Sequence, residues 1–146
     1  MSKKYNIAVV HGDGVGYEII PAALKVLDVV SKKAGFHIET TEYSYGAGNY
    51  KNTGAFMPDE GLKELKTYDA ILFGAVGLPD VDDTLPARDF TFKVRTHLQQ
   101  YVNYRPVRMW PGVKRPLGQD KKFEFVVVRE NTEGEFVQVG NQIMPE

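Results

Sequence analysis

Residues 7–43 follow the pattern strand, helix, strand, and this pattern limits the possible folds more than any other feature of the sequence. The apolar run 7–10 contains β-branched residues, as a strand buried on both faces does. Residues 17–34 have apolar side chains at the 3.6-residue period of a helix, which Gly35 can end. Residues 36–43 alternate apolar and polar side chains, as a second strand does. Because such a crossover joins parallel strands, the sequence predicts an α/β fold with an open, mostly parallel sheet and flanking helices.

The later segments continue this pattern but leave it unfinished. The predicted elements are a helix over 57–66, a strand over 69–73, a helix over 90–102, an extended segment over 103–109 and a buried strand over 123–129, with loops over 46–54, 78–89 and 111–122. The last stretch, 134–146, has no clear helical pattern. A buried parallel strand needs a layer on each face of its sheet. We therefore expect the sequence to be a truncated, incomplete part of such a fold.

The composition excludes several classes of protein. With 146 residues, a hydrophobic fraction of 42% and a net charge of −1, the chain can form one ordinary domain and lacks the basic excess of nucleic-acid-binding proteins. It has no cysteine, which excludes disulfides and zinc–thiolate sites. Its first apolar run is far shorter than the ~20 residues of a membrane span. We expect a soluble, cytoplasmic protein that binds neither nucleic acid nor membrane.

The glycine-rich turn at 12–16 follows the first predicted strand and has two interpretations. It could begin a dinucleotide-binding fingerprint, with Glu39 or Glu42 as the acid that binds the ribose. However, Tyr17 stands where the third glycine of that fingerprint belongs, which favours a tight structural turn between strand and helix. Asp13 is either a local cap of this turn or a catalytic carboxylate, and the sequence leaves both open.

A second loop of small residues, 74–77, follows the third predicted strand. It consists of Gly74, Ala75, Val76 and Gly77. Small side chains and free backbone N–H groups would allow a cofactor ring to approach closely. A plain glycine-rich strand exit is the equally good alternative.

The sharpest chemical signal is a set of arginines. Arg95 lies in a predicted helix, Arg105 in the extended segment and Arg129 at the end of the last strand. Guanidinium groups bind carboxylates through paired hydrogen bonds, so several of them suit a ligand with two carboxylates. Ligands of open α/β sheets bind at the carboxyl ends of the strands, where we expect Arg129 and both glycine loops to meet. The alternative is that each arginine pairs with an acid of the protein, such as Glu130, Glu133 or Glu135.

Five motifs stand in a fixed order along the chain: Gly12-Asp13-Gly14-Val15-Gly16-x-Glu18, Asp69-Ala70-Ile71-Leu72-Phe73-Gly74-Ala75-Val76-Gly77, Val94-Arg95, Tyr101-Val102-Asn103-Tyr104-Arg105-Pro106-Val107-Arg108, and Val128-Arg129-Glu130-Asn131-Thr132-Glu133-Gly134-Glu135. In this order they resemble the N-terminal part of the metal-dependent β-decarboxylating dehydrogenases. This family contains the isocitrate, 3-isopropylmalate and tartrate/D-malate enzymes, and the last two motifs are most similar to tartrate dehydrogenase/decarboxylase.

The resemblance implies roles for particular residues. Arg95, Arg105 and Arg129 match the arginines that bind the substrate carboxylates, and Gly74, Ala75 and Val76 match a loop beside the nicotinamide. It implies an isopropylmalate dehydrogenase-like fold, with 1–100 in the large α/β domain and 101–146 at the start of a smaller, dimer-forming domain. The cofactors implied are NAD and Mg²⁺ or Mn²⁺. The lysine base and the aspartates that hold the metal are expected beyond Glu146, so this chain carries no catalytic or metal-ligating residue of its own.

The function implied is NAD-dependent oxidative decarboxylation of a small 2-hydroxy dicarboxylate of the tartrate or D-malate type, by a homodimer. The chain alone is expected to be inactive. Phe136 departs from the family pattern, because a tyrosine that assists proton delivery belongs there. The alternatives are a 3-isopropylmalate or isocitrate dehydrogenase, a non-catalytic or regulatory family member, and a free-standing nucleotide-binding module. The loop Asp80–Asp89 is the expected specificity region.

Overall fold

The computed structural model describes residues 3–114 and 122–133. The chain divides into two compact units, Met1–Leu98 and Gln99–Glu146.

The first unit contains a three-stranded parallel sheet. Strand β1 (Lys4–Gly12) lies between β2 (His37–Tyr43) and β3 (Ala70–Ala75), and it pairs in parallel with both. Helix α1 (Gly16–Ala34) connects β1 to β2 and ends at Gly35, which adopts a left-handed conformation. The predicted strand–helix–strand unit and the α/β fold class are therefore confirmed.

Strand β1 is buried on both faces, as its apolar run predicts. Ile7 and Val9 pack with Ile20 of helix α1. The alternate residues, Ala8 and Val10, face a second and larger apolar cluster, whose other buried members are Tyr45, Ala47, Phe56, Met57, Leu65, Val81, Phe90 and Val94. Because side chains alternate along a strand, β1 forms the centre of two apolar layers, one on each face of the sheet.

Short helical segments cover the second face of this sheet. They are α2 (Ala47–Thr53), α3 (Gly61–Leu65) and a π-helical segment (Pro86–Phe92) that continues into α4 (Lys93–His97). The prediction of a loop over 46–54 is wrong, because α2 occupies it. The predicted helix over 90–102 begins earlier and ends earlier than expected, since Gln99 has a positive φ of 53° and Val102 already belongs to a strand. Among the described helices, none has the length and apolar character needed to cross a bilayer.

The second unit contains an antiparallel pair of strands, β4 (Val102–Arg108) and β5 (Glu124–Glu130). The prediction that 123–129 forms a buried strand of the parallel sheet is wrong. Strand β5 pairs with β4 instead, and Phe125, Val126 and Val128 are 50%, 44% and 65% exposed in the described chain. A continuous apolar run fixes neither the partner of a strand nor its depth, because the same residues also suit a two-stranded ribbon.

The register of this ribbon sorts its residues onto two faces. Asn103 lies opposite Arg129, and Arg105 lies opposite Val127. Since successive side chains point to opposite faces, Asn103, Arg105 and Arg129 share one face. The other face carries Val102, Tyr104, Pro106, Arg108, Glu124, Val126, Val128 and Glu130.

Candidate functional site

The Asp13 carboxylate organises the carboxyl edge of the parallel sheet. It is 4% exposed and accepts hydrogen bonds from the backbone N–H groups of Ala47 at 2.7 Å, Gly48 at 2.8 Å and Gly77 at 3.1 Å. The first two belong to the beginning of helix α2, so Asp13 caps a helix more than thirty residues away in the sequence. Its backbone N–H also donates to the carbonyl of Ala75 at 2.6 Å. These contacts make Asp13 a structural residue that joins the first turn, helix α2 and the second glycine loop.

The glycines of the two loops allow the close approach of backbone segments. A Cβ at Gly12 would lie 1.9 Å from the carbonyl oxygen of Ala75, and one at Gly74 would lie 2.1 Å from the carbonyl oxygen of His11. A Cβ at Gly16 would meet the same His11 oxygen at 2.0 Å. The turn at 12–16 is thus explained by packing between β1, α1 and β3, which is the structural interpretation favoured by the sequence.

The second glycine loop makes more contacts with the rest of the protein than its sequence suggested. The expectation of free N–H groups is wrong for Gly77, whose N–H donates to Asp13. Ala75 and Val76 are partly exposed, and Val76 also packs against the larger apolar cluster. The loop therefore presents small, partly exposed apolar side chains at the carboxyl edge of the sheet. Contact between a cofactor ring and Gly74, Ala75 or Val76 remains a prediction.

His11, at the end of β1, is held by its neighbours. Its Nε2 lies 3.2 Å from Glu42 Oε2, and its ring stacks on Tyr17 with the centroids 5.7 Å apart. Glu42, one of the two candidate ribose acids, is therefore engaged with His11. The other candidate, Glu39, pairs with Lys4 at 2.7 Å, and the hydrogen bond from that lysine lowers the pKa of the Glu39 carboxyl.

Arg105 and Arg129 are diagonal neighbours on one face of the β4–β5 ribbon. Arg105 lies opposite Val127, two residues before Arg129. Diagonal residues of such a ladder lie about 7–8 Å apart, within reach of long side chains. Within the described segments, no carboxylate forms an ion pair with Arg105. The ribbon thus brings two of the three predicted substrate arginines together.

Each of these arginines is held by an asparagine two residues away. Arg105 Nε donates to Asn103 Oδ1 at 2.6 Å, and Arg129 Nη2 donates to Asn131 Oδ1 at 2.9 Å. Sequence analysis missed both asparagines, although the spacing of two residues on a strand, which puts side chains on the same face, is a signal that could have identified them.

Arg95 lies in the first unit, on helix α4. It is partly buried, and its guanidinium carbon lies 5.6 Å from the centroid of the Phe92 ring. Arg105 and Arg129 lie in the second unit. The expectation that Arg129 shares an edge of the parallel sheet with the glycine loops is wrong, because β5 is not a strand of that sheet.

Glu130, one of the acids expected as an alternative partner of the arginines, instead closes the turn after β5. Its carboxylate accepts hydrogen bonds from the N–H of Glu133 at 2.6 Å and from the N–H and hydroxyl of Thr132 at 2.9 and 2.7 Å. These bonds, led by that from Glu133, lower the pKa of Glu130 to about 2. Glu130 therefore carries its charge at neutral pH and fixes the backbone just beyond Arg129.

The predicted specificity loop, Asp80–Asp89, is held by an ion pair at its first residue and by two buried side chains. Asp80 forms an ion pair with Lys51 of helix α2, and a hydrogen bond from this lysine lowers the pKa of Asp80. Val81 and Pro86 are buried. The exposed side chains of the loop are polar or charged: Asp80, Asp82, Asp83, Thr84 and Arg88.

Phe136 and Glu135 lie outside the described residues. Within 3–114 and 122–133, no three or more His, Asp or Glu side chains lie close enough together to hold a metal ion.

Comparisons with known proteins agree with this fold. The isocitrate/isopropylmalate dehydrogenase family profile matches residues 6–145. A 3-isopropylmalate dehydrogenase of Mycolicibacterium vanbaalenii is 46% identical over 137 residues, which are 94% of this chain and 40% of the relative. A probable tartrate dehydrogenase/decarboxylase of Agrobacterium vitis is 41% identical, with 92% of this chain and 38% of the relative covered. The chain thus spans about 40% of the length of these relatives.

Solved structures give the same result. The apo form of a β-decarboxylating dehydrogenase from Thermococcus kodakarensis matches with a TM-score of 0.66 and 32% identity, over 89% of this chain and 35% of that one. The isocitrate dehydrogenase of Methylococcus capsulatus matches with a TM-score of 0.75 and 26% identity, over 92% of this chain and 37% of that one. The family match over nearly the whole sequence agrees with the α/β fold and with the order of the motifs. The chain therefore belongs to the isocitrate/isopropylmalate dehydrogenase family of decarboxylating dehydrogenases.

Proposed function

We propose that this chain forms the N-terminal part of an NAD-dependent enzyme that oxidatively decarboxylates a small 2-hydroxy dicarboxylate. The observation that carries the proposal is the pair Arg105 and Arg129, which lie on one face of the β4–β5 ribbon. Side chains on one face of a ribbon can contact the same ligand, and a dicarboxylate offers one carboxylate to each guanidinium. Their guanidinium forks would bind the carboxylates and fix the orientation of the substrate.

The roles of Arg95 and of the loop Gly74–Ala75–Val76 are supported by the family resemblance. We assign Arg95 to the same substrate. We assign the loop to the nicotinamide end of NAD, because its small, partly exposed apolar side chains suit the face of a ring. Bound NAD would supply the hydride acceptor. The residues of this chain would bind and orient the substrate toward it.

A divalent metal, Mg²⁺ or Mn²⁺, is implied by the family. The described part of the chain brings no group of acidic or histidine side chains together that would hold it. By the family resemblance we assign its ligands, and the lysine base, to residues outside this sequence. The active protein is proposed to be a cytoplasmic homodimer on the same resemblance.

The substrate is proposed to be of the tartrate or D-malate type. The loop Asp80–Asp89 supports this choice, because its exposed side chains are polar or charged, whereas Val81 and Pro86 are buried and Leu85 and Ala87 are partly buried. Such a loop suits a hydroxylated or unsubstituted substrate better than one with a branched apolar group. Oxidation of 3-isopropylmalate is the second candidate, because a relative named 3-isopropylmalate dehydrogenase is 46% identical to this chain.

The proposal is tested by NADH formation from the complete gene product with Mn²⁺, NAD⁺ and D-malate, tartrate, 3-isopropylmalate or isocitrate. We expect the highest kcat/KM with D-malate or tartrate. The variants Arg105→Lys and Arg129→Lys should each lower kcat/KM roughly tenfold or more, because a forked hydrogen bond to a carboxylate is lost.

Arg108→Lys is the matched control. Arg108 lies on the opposite face of the same ribbon, where it pairs with Glu124 at 2.9 Å, so its replacement should leave kcat/KM nearly unchanged. Equal losses in all three variants would contradict substrate binding by the Arg105–Arg129 face. Absence of NADH with every substrate would contradict the proposed reaction itself.

A further inference from the structure

We propose that Asn131 is a positioning residue, which acts on the substrate through Arg129. This inference rests on the proposed function, because it assigns the cause of the orientation of one substrate arginine. Asn131 immediately follows strand β5, and it is 5% exposed in a unit whose strands are otherwise largely exposed. A buried amide side chain at this place needs partners for both of its polar atoms.

Both polar atoms of the Asn131 side chain have partners. Its Oδ1 accepts the hydrogen bond from Arg129 Nη2 at 2.9 Å, and its Nδ2 donates to the backbone carbonyl of Gln100 at 3.2 Å. The two contacts also define which end of the amide is oxygen, because a guanidinium can only donate and a carbonyl can only accept. Asn131 therefore joins Arg129 to the backbone that leads into strand β4.

The hydrogen bond to Asn131 restricts the orientation of the Arg129 side chain. An arginine has many rotamers, and each one that is frozen on binding reduces the affinity for a ligand. A hydrogen bond from one Nη nitrogen to a buried amide restricts the guanidinium plane before substrate arrives. The remaining N–H groups of the fork keep a fixed direction, which is the requirement for binding a carboxylate in one orientation.

A purely structural role for Asn131 is the competing explanation, and the neighbouring turn argues against it. The N–H groups of Thr132 and Glu133 donate to the carboxylate of Glu130, so the turn is closed without the Asn131 side chain. What the Asn131 oxygen adds is the contact with Arg129. Asn103 makes a similar contact with Arg105, but it is only partly buried, and among the described residues its side chain has no second hydrogen-bond partner.

The test is a double-mutant cycle in the complete gene product. Asn131→Leu keeps the approximate size of the side chain and removes both hydrogen bonds. It should lower kcat/KM for the preferred dicarboxylate roughly tenfold, mainly through KM, as expected for the loss of one hydrogen bond to a charged group. If Asn131 acts through Arg129, Asn131→Leu should have almost no further effect in an Arg129→Lys background.

The control background is Arg105→Lys. There Arg129 is intact, so Asn131→Leu should retain its full tenfold effect. A structural role would instead give the same loss in wild type, Arg129→Lys and Arg105→Lys, and this result would overturn the proposal. Should Asn131→Leu not fold, as judged by circular dichroism, the same cycle is run with Asn131→Asp. This variant keeps the acceptor oxygen but adds a charge that competes with the substrate carboxylate, so its KM effect should also disappear in Arg129→Lys.

A second readout separates this inference from the proposed reaction. Binding of D-malate is measured by NMR titration of the same proteins without NAD⁺. Coupled effects on binding, without any NADH formation, would support the role of Asn131 and reject the proposed oxidation. NADH formation, with an effect of Asn131→Leu that is the same whether or not Arg129 is present, would support the proposed oxidation and reject the role of Asn131. If the proteins show no D-malate binding and no NADH formation, both the role of Asn131 and the proposed oxidation are rejected.

Discussion

Replacing Asp13 tests whether one buried carboxylate holds the carboxyl edge of the parallel sheet together. The side chain accepts backbone N–H groups of Ala47, Gly48 and Gly77, and it is 4% exposed. In Asp13→Ala these donors lose their acceptor. Ala47 is fully buried, whereas Gly48 and Gly77 are partly exposed and can reach water.

The size of the effect follows from these contacts. A hydrogen bond to a charged group contributes about 1.5–3 kcal/mol, so three of them give an upper limit of about 4.5–9 kcal/mol. Hydration of the partly exposed Gly48 and Gly77 reduces this limit, and we expect Asp13→Ala to lower the free energy of unfolding by about 4 kcal/mol. Asp13→Asn keeps one acceptor oxygen and should lose roughly half as much.

The measurement is urea denaturation followed by circular dichroism, together with amide hydrogen exchange. Asp69→Ala is the matched control, because the Asp69 carboxylate also accepts a backbone N–H, that of Asn6 at 2.7 Å, but at an exposed position. It should cost no more than about 1 kcal/mol. Exchange of the Ala47 amide should accelerate in Asp13→Ala alone. If the Asp13 and Asp69 variants lose equal stability, the assignment of Asp13 as a central structural residue is refuted.

Two further predictions concern the strand packing and the turn after β5. Gly74→Ala places a Cβ 2.1 Å from the His11 carbonyl oxygen, so we expect the free energy of unfolding in urea to fall by roughly 3 kcal/mol. In the control, Gly48→Ala, the nearest contact of the new Cβ is at 3.4 Å, and the free energy of unfolding should change little. Equal losses in the two variants would contradict the packing argument. The folded pKa of Glu130, about 2, lies below the ordinary value, so its charge stabilises the turn above about pH 4 and this contribution disappears as the pH falls toward 2. Carboxyl NMR titration should show the low pKa, and Glu130→Gln should remove the acid-range change in the Thr132 and Glu133 amide signals; a Glu130 that titrates near pH 4 would refute this.

The strand–helix–strand unit could be predicted because its signals are local. Residues 7–43 combine an apolar run, a helical period and a glycine stop, and each of these depends on neighbours in the sequence. Helix α2 could not be predicted in this way. Its first N–H groups are capped by Asp13, more than thirty residues earlier, and its glycine, asparagines and threonine are poor helix formers. Tertiary contact decides its conformation.

The candidate site was predicted in its residue types and only partly in its arrangement. Side-chain chemistry and family spacing identified Arg105 and Arg129. Their pairing could not be derived, because it depends on β5 running antiparallel to β4, and an apolar run carries no information about its partner strand. Asn131 was missed for a related reason. The spacing of two residues places it beside Arg129, but its burial and its contact with Gln100, on which its proposed role rests, have no local sequence signal.

The register of the β4–β5 ribbon has a consequence for how this segment can change in evolution. The separation of Arg105 and Arg129 is set by the pairing of their strands and does not depend on how many residues connect them. Insertions and deletions in that connection are therefore compatible with an unchanged pair of guanidinium groups. A shift of β5 by a single residue, in contrast, would carry Arg129 to the opposite face of the ribbon and bring Val128 in its place. The length of this connection can thus change without altering the proposed substrate-binding pair, provided that the alignment of the two strands is kept.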